Sequence, residues 1–172
     1  MSLVSIRSER ADHPQVVALL DALDRYLAGL YAPEANHIMS IAELLAPDVS
    51  LFAAWQGERI VGTAAVRRRM GGGDTGGVPY GEVKRMYVDP SVRGQRIAER
   101  LLQAIEQALL DDGLGWALLE TGSAQHEAVR LYERCGFSRR APFAGYPDNG
   151  QSLFMAKELS KVACGVERLA CT

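Results

Sequence analysis

The stretch Gly81-Glu82-Val83-Lys84-Arg85-Met86-Tyr87-Val88-Asp89-Pro90-Ser91-Val92-Arg93-Gly94-Gln95-Arg96-Ile97-Ala98 decides the fold. Gly81 to Val88 reads as a strand, broken at Asp89 and Pro90. Apolar residues then recur at helical spacing, at Ile97, Leu101, Leu102, Ile105 and Leu109, until Asp111, Asp112 and Gly113 halt the pattern. Trp116 to Glu120 follows as a short, nearly continuous apolar strand. Strand, helix and strand in this order predict a parallel pair joined by a right-handed crossover, with function where the sheet opens.

Upstream, Leu3 to Arg7 alternates as a first strand. Asp12 is placed to cap a helix with Pro14 in its first turn and Val16, Leu19, Leu20, Leu23, Leu27 and Leu30 on one face. Pro33 stops it, and Ser40 with Glu43 forms a capping box for a short helix, Ile41 to Ala46. Val49 to Gln56 and Arg59 to Arg69 are β-rich runs around Gly57 and Glu58, a hairpin signal. Gly71 to Gly77 lacks Gly-Lys-Ser/Thr, so it reads as a flap or linker and not as a nucleotide loop. Downstream, Ala124 to Arg134 is a helix closed by Gly136, and a last strand begins at Ser152. The pattern is mixed α/β, a mostly antiparallel sheet with one parallel pair and helices on both faces.

The chain has 172 residues and a mass of 18.7 kDa, the size of one self-sufficient domain. Residues 1–160 are assigned to it and 161–172 to a tail open to disorder. Nineteen Lys and Arg against 21 Asp and Glu leave a formal charge of −2, which argues against nucleic acid as the partner. The N-terminus has no apolar secretory core, and no apolar run approaches a membrane span, so a cytoplasmic protein without a membrane partner is expected. The three cysteines, Cys135, Cys164 and Cys171, form no C-x-x-C and have no His at ligand spacing. No metal site is expected.

The turn from Asp89 to Ala98 delivers the chain to a helix N-terminus, where unpaired N–H groups and a partial positive charge favour an anion. Arg93 and Arg96 add cations suited to a pyrophosphate, although an ordinary turn with solvated arginines would look similar. The segment Arg93 to Ala98 matches a pattern of Arg or Gln, two residues, Gly, one residue, then Gly or Ala, with Arg96 standing where the pattern has Gly. A second pattern, Ala-x-x-Leu-Tyr-x-x-x-Gly-Phe, is carried by Ala128, Leu131, Tyr132, Gly136 and Phe137. With these two motifs at their spacing, and with its element order from Leu3 to Leu159, the chain resembles the GNAT superfamily of acyl-coenzyme A dependent N-acetyltransferases. Within it, the chain looks like a bacterial small-molecule branch.

The resemblance implies that pantetheine lies where the strand from Gly81 splays from the strand from Trp116, against Met86, Tyr87 and Val88. It places the pyrophosphate on the amides of Arg93, Gly94, Gln95, Arg96, Ile97 and Ala98, and assigns Gln125 to the cofactor, where the family often has Asn. Arg96 either turns outward to meet a phosphate or weakens cofactor binding. Tyr132, by motif position, donates to the departing sulfur; on the residues alone it could equally be a core aromatic. Acetyl-coenzyme A is the expected cosubstrate, and a homodimer is a compatible assembly.

The acceptor amine must be neutral to attack. At pH 7 that costs about 4–5 kcal/mol for a lysine-like amine and about 1 kcal/mol for an α-amine. Glu82 is the candidate base, with a strand-start salt bridge to Lys84 or Arg85 as the alternative reading. Period 2 puts Glu82, Lys84, Met86 and Val88 on one face and Val83, Arg85 and Tyr87 on the other. Tyr31, Glu34 and His37, in the link between the first helices, are candidates for the acceptor wall. Arg85, or Arg67, is a candidate for a substrate carboxylate. Cys135 has no base nearby in sequence, so direct transfer in a ternary complex to a small primary amine, an amino acid or related compound, is expected. A non-catalytic acyl-coenzyme A sensor and a protein or peptide lysine acetyltransferase are the alternatives.

Overall fold

A computed structural model describes residues 3–33 and 37–160; Glu34 and the 161–172 tail lie outside the described residues. Its elements run β1 (Val4–Glu9), α1 (Pro14–Ala28), α2 (Ile41–Leu44), β2 (Val49–Gln56), β3 (Arg59–Arg69), β4 (Tyr80–Val88), α3 (Ile97–Asp111), β5 (Trp116–Gly122), α4 (His126–Arg134), β6 (Ser138–Arg140) and β7 (Ser152–Glu158). The strands form one sheet in the order β1-β2-β3-β4-β5-β7-β6, parallel between β4 and β5 and antiparallel elsewhere.

Alternation along the central strands builds a core on each face. On β3, Ala64 and Val66 join Leu101, Ile105 and Leu109 of α3, whereas Ala65 joins Leu19 and Leu20 of α1 and Leu44 of α2. Each of these fully buried Leu or Ile side chains contributes about 1.5–3 kcal/mol. Tyr132 of α4 packs with Phe137 on the α3 side. A third cluster, Tyr80, Leu118, Phe143 and Phe154, fills the sheet beyond α1. Gly81 lets α3 lie close on β4, because a Cβ there would run into Leu109.

Local signals shift several predicted boundaries. His13, not Asp12, caps α1 by accepting the Gln15 N–H at 3.2 Å, while Asp12 holds Arg10. The helix ends at Ala28, and Leu30 is exposed beyond it. The Ser40–Glu43 capping box forms as predicted, but α2 stops at Leu44. Strand β6 is absent from the sequence reading because Ser-Arg-Arg carries no apolar alternation; it exists by pairing with β7. The Gly71–Gly77 segment folds into a turn, with the Gly72 N–H donating to Thr75 Oγ1 and Arg140 donating to the Asp74 carbonyl.

One irregularity matters most. Arg85 adopts φ +57° in mid-strand, and the β3–β4 register slips between Thr63 and Ala65, so Arg85 and Met86 together oppose Ala64. This is a β-bulge, and it inverts the side-chain alternation. Val83, Met86 and Val88 therefore share the α3 face, while Tyr87 packs on the α1 side, which corrects the period-2 assignment. Pairing of β4 with β5 covers only Gly81↔Ala117 to Val83↔Leu119. Beyond it, β4 stays with β3 and β5 with β7, and the sheet opens between them.

Candidate functional site

Two cavities occupy this opening. The larger, about 390 Å³, runs from Met86, Tyr87 and Val88 past Val92, Arg93, Gly94, Arg96, Ile97 and Ala98 to Ala128 and Leu131 of α4. Its floor is the start of α3. Asp89 caps the preceding turn by accepting the Ser91 N–H at 2.8 Å, and an ion pair to Arg59 holds it there. The first bond of the α3 ladder runs from the Arg100 N–H to the Arg96 carbonyl, so the amides of Ile97, Ala98 and Glu99 have no helical partner. Arg93, half exposed, lines the same cavity, donating to the Val88 carbonyl at 3.4 Å with Glu127 at 3.9 Å. Amides, a guanidinium and apolar walls suit a ligand with a phosphate end and an aliphatic arm.

Arg96 occupies the N-cap at φ +58°, a conformation that favours Gly. Its side chain turns outward, 81% exposed, and pairs with Glu99 one turn on. The backbone thus keeps the shape that the glycine pattern would give. Gln95 does not line the cleft; its side-chain carbonyl accepts from Gln56 at 3.3 Å.

The smaller cavity, about 110 Å³, shares Leu23, Met86 and Gln125 with the larger and continues it toward the other side of the split. Tyr31, His37, Lys84, Arg85, Glu120, Ser152 and Tyr132 line it. Tyr31 reaches it by docking on Gly122, where a Cβ would collide with the phenol, and its hydroxyl accepts the Ala124 N–H at 3.1 Å. Burial, with a smaller contribution from nearby Cys135, raises the pKa of Tyr132 well above the usual phenol value. The hydroxyl therefore stays protonated and available as a donor. Burial also pushes up the Cys135 thiol, which lies outside both cavities.

The two predicted acid–base and recognition groups on β4 are placed differently from expectation. Glu82 is fully buried and lines neither cavity. Its carboxylate receives Arg69 at 2.9 and 3.0 Å and the Tyr146 hydroxyl, with Lys84 Nζ at 3.3 Å. Burial alone would raise its pKa, but Lys84, the Tyr146 hydrogen bond and Arg69 together outweigh that and hold it below the ordinary carboxylate value. Arg85 lines the smaller cavity, yet its side chain is 5% exposed; its terminal nitrogens donate to Asp24 and the Leu20 carbonyl, and its Nε is buried without a partner. Arg67 is held by Asp48 at 2.8 Å. Neither arginine is left free to take a substrate carboxylate, a correction to the sequence reading.

Glu120 is the group that sequence reasoning passed over. It is the first β5 residue past the last β4 pair, where a charge ends an apolar strand. Its Oε1 accepts the Ser152 hydroxyl at 2.6 Å and lies 3.3 Å from His37 Nδ1; among the described residues nothing binds Oε2. Lys84 was read only as a partner for Glu82, and Tyr146, 62 positions away, gave no signal. Of the predicted residues, the structure brings Met86, Tyr87, Val88, Arg93, Gly94, Arg96, Ile97, Ala98 and Gln125 to the larger cavity, and Tyr31, His37, Arg85 and Tyr132 to the smaller. Among the described residues, no group of three His, Cys, Asp or Glu could hold a metal ion, and no helix is long and apolar enough to cross a membrane.

Comparison with known proteins points to the same chemistry. The sequence model of the Acetyltransferase (GNAT) family matches residues 16–137. An IAA acetyltransferase of Azospirillum brasilense is 41% identical over 159 residues, covering 92% of this chain and all of that protein. Among solved structures, a Klebsiella pneumoniae protein assigned as an acyl-CoA N-acyltransferase superposes with a TM-score of 0.76 at 30% identity, over 93% of this chain and 100% of the other. The PaiA N-acetyltransferase of Thermoplasma acidophilum, solved with coenzyme A, shares the fold at a TM-score of 0.70 and 17% identity, over 91% of this chain and 99% of the other.

Proposed function

Because the chain belongs to the GNAT acetyltransferase family and is an N-acetyltransferase, we propose that it moves an acetyl group from acetyl-coenzyme A directly to a small primary amine, an amino acid or related compound, in a ternary complex. The observation that carries this reading is the meeting of the two cavities at Met86 and Gln125, an amide-floored cleft on one side and a polar chamber on the other. The cleft fits the coenzyme: the amides of Ile97 and Ala98 with Arg93 hold its pyrophosphate, and Met86 to Val88 hold the pantetheine arm. When bound, it supplies an acyl group activated as a thioester.

The chain's own residues do the rest. Glu120 is the base. Ser152 and His37 fix its Oε1, which leaves Oε2 to take a proton from the incoming ammonium. Holding the nitrogen neutral at pH 7 costs about 1 kcal/mol for a weakly basic α-amine and rises toward about 4–5 kcal/mol for a lysine-like one, and a carboxylate positioned at the amine takes up the proton as the nitrogen attacks. Tyr132 lines the smaller cavity with a protonated phenol and stabilises negative charge developing on the departing sulfur. Glu82 is an internal counter-charge that sets Lys84 and Tyr146 in place.

Release of free coenzyme A thiol, followed with a panel of amino acids, polyamines, aminoglycosides and lysine peptides, tests this. Turnover concentrated among the small amines is the expected result. Binding of acetyl-coenzyme A without thiol release across the whole panel would replace the transferase reading with a sensor.

A further inference from the structure

The acceptor chamber has two electrical poles. One is Glu120. The other is Lys84, which lines the chamber with a side chain only 9% exposed. Lys84 Nζ donates to two neutral acceptors, Tyr146 Oη at 2.8 Å and the His37 carbonyl at 3.4 Å. The nearest carboxylate, Glu82 at 3.3 Å, also serves Arg69 at 2.9 Å, so one negative charge is shared by two cations. Two cations against one carboxylate leave a net positive charge at this wall of the chamber, and the long contacts to the His37 carbonyl and Glu82 are ones an entering anion can displace. Arg67 lines neither cavity and is held by Asp48, and Arg85 is held by Asp24 with an unpartnered Nε that is itself buried and out of a ligand's reach.

The separation of the poles is short. His37 touches both, through its carbonyl to Lys84 and through Nδ1 to Glu120, so a single residue spans the distance between them. At about 110 Å³ the chamber is far smaller than the roughly 300–1,000 Å³ of drug-sized pockets. A ligand that fills it and satisfies both poles is small and carries an anion a few bonds from its amine.

We propose that the acceptor is a free small amino acid, with Lys84 binding its carboxylate while Glu120 faces its amine. This rests on the transferase reading above and narrows it to zwitterions. Amines without a carboxylate leave Lys84 without its anion and are poor acceptors.

The test titrates the full chain, in the presence of coenzyme A, with the twenty standard L-amino acids by calorimetry, and then titrates the carboxamide of each one that binds. The carboxamides should bind about 10- to 100-fold more weakly. Lys84→Gln should bring the acid down to the level of its carboxamide and leave the carboxamide unchanged, and Lys84→Arg should keep part of the preference. No binding by any of the twenty, carboxamides binding as well as acids, or Lys84→Gln weakening both equally would each overturn the proposal. Thiol release is read separately. A Lys84-dependent preference without thiol release keeps the carboxylate site and removes the transferase reading. Release with acids and carboxamides alike does the reverse.

Discussion

Glu82 and Glu120 lie on neighbouring strands and the same face of the sheet, yet the two regions around them do opposite things. Glu82 pairs across to Leu118, inside the stretch where β4 and β5 are joined, and every side of its carboxylate is taken up by Arg69, Lys84 or Tyr146. Glu120 is two residues past Leu118, after the strands have parted, and half of its carboxylate faces a cavity. The residue type is the same. Position relative to the split decides whether the charge is enclosed by the scaffold or opens onto a cavity.

The sharpest way to break this contrast is Glu120→Gln. We expect kcat to fall about 100- to 10,000-fold, with affinity for acetyl-coenzyme A unchanged by titration. Near-normal turnover would return the base to another residue. Glu82→Gln should instead cost about 3–5 kcal/mol of stability in urea denaturation, because it leaves two cations without their carboxylate. The Glu82 effect also depends on pH. The folded-state pKa of Glu82 is depressed, so the native state binds fewer protons there and the stabilisation is present above the ordinary value of 4.5. It is lost as pH falls through the depressed folded pKa, and Glu82→Gln should flatten that acid limb.

Smaller effects sharpen the boundary between the two cavities. Tyr132→Phe should lower kcat about 100-fold at unchanged coenzyme affinity, since the ring still packs on Phe137 and only the donor is removed. Equal activity would remove Tyr132 from the chemistry. Arg96→Gly should raise stability by about 1 kcal/mol, read as a higher Tm, by relieving the left-handed N-cap. The lost pair with Glu99 weighs little against this, because the Arg96 side chain is 81% exposed.

Much of this was legible before any coordinates. The β4–α3–β5 unit follows from apolar spacing at Ile97 to Leu109 between two strand-like runs, and the turn into an open helix N-terminus follows from Asp89, Pro90 and the helix start at Ile97. Tyr132 came from its motif and lines the chamber. The bulge at Arg85 was not legible, because a left-handed arginine in a strand is imposed by partners from elsewhere: Asp24 and the Leu20 carbonyl on α1, and the Thr63 hydroxyl against its own carbonyl at 3.4 Å. Once alternation inverts there, any face assignment made by counting residues fails beyond it. Glu120 was hidden for a related reason. Its importance depends on where two strands stop pairing, a property of neither strand alone.

The seat of Tyr31 on Gly122 has a consequence for inheritance. Any side chain at 122 evicts the phenol, and any residue at 31 without a hydroxyl leaves the Ala124 N–H without its acceptor. Positions 31 and 122 stand 91 apart in the chain, yet what 122 can hold depends on what stands at 31. A side chain can enter at 122 only after the phenol at 31 has gone, so the order of change is fixed.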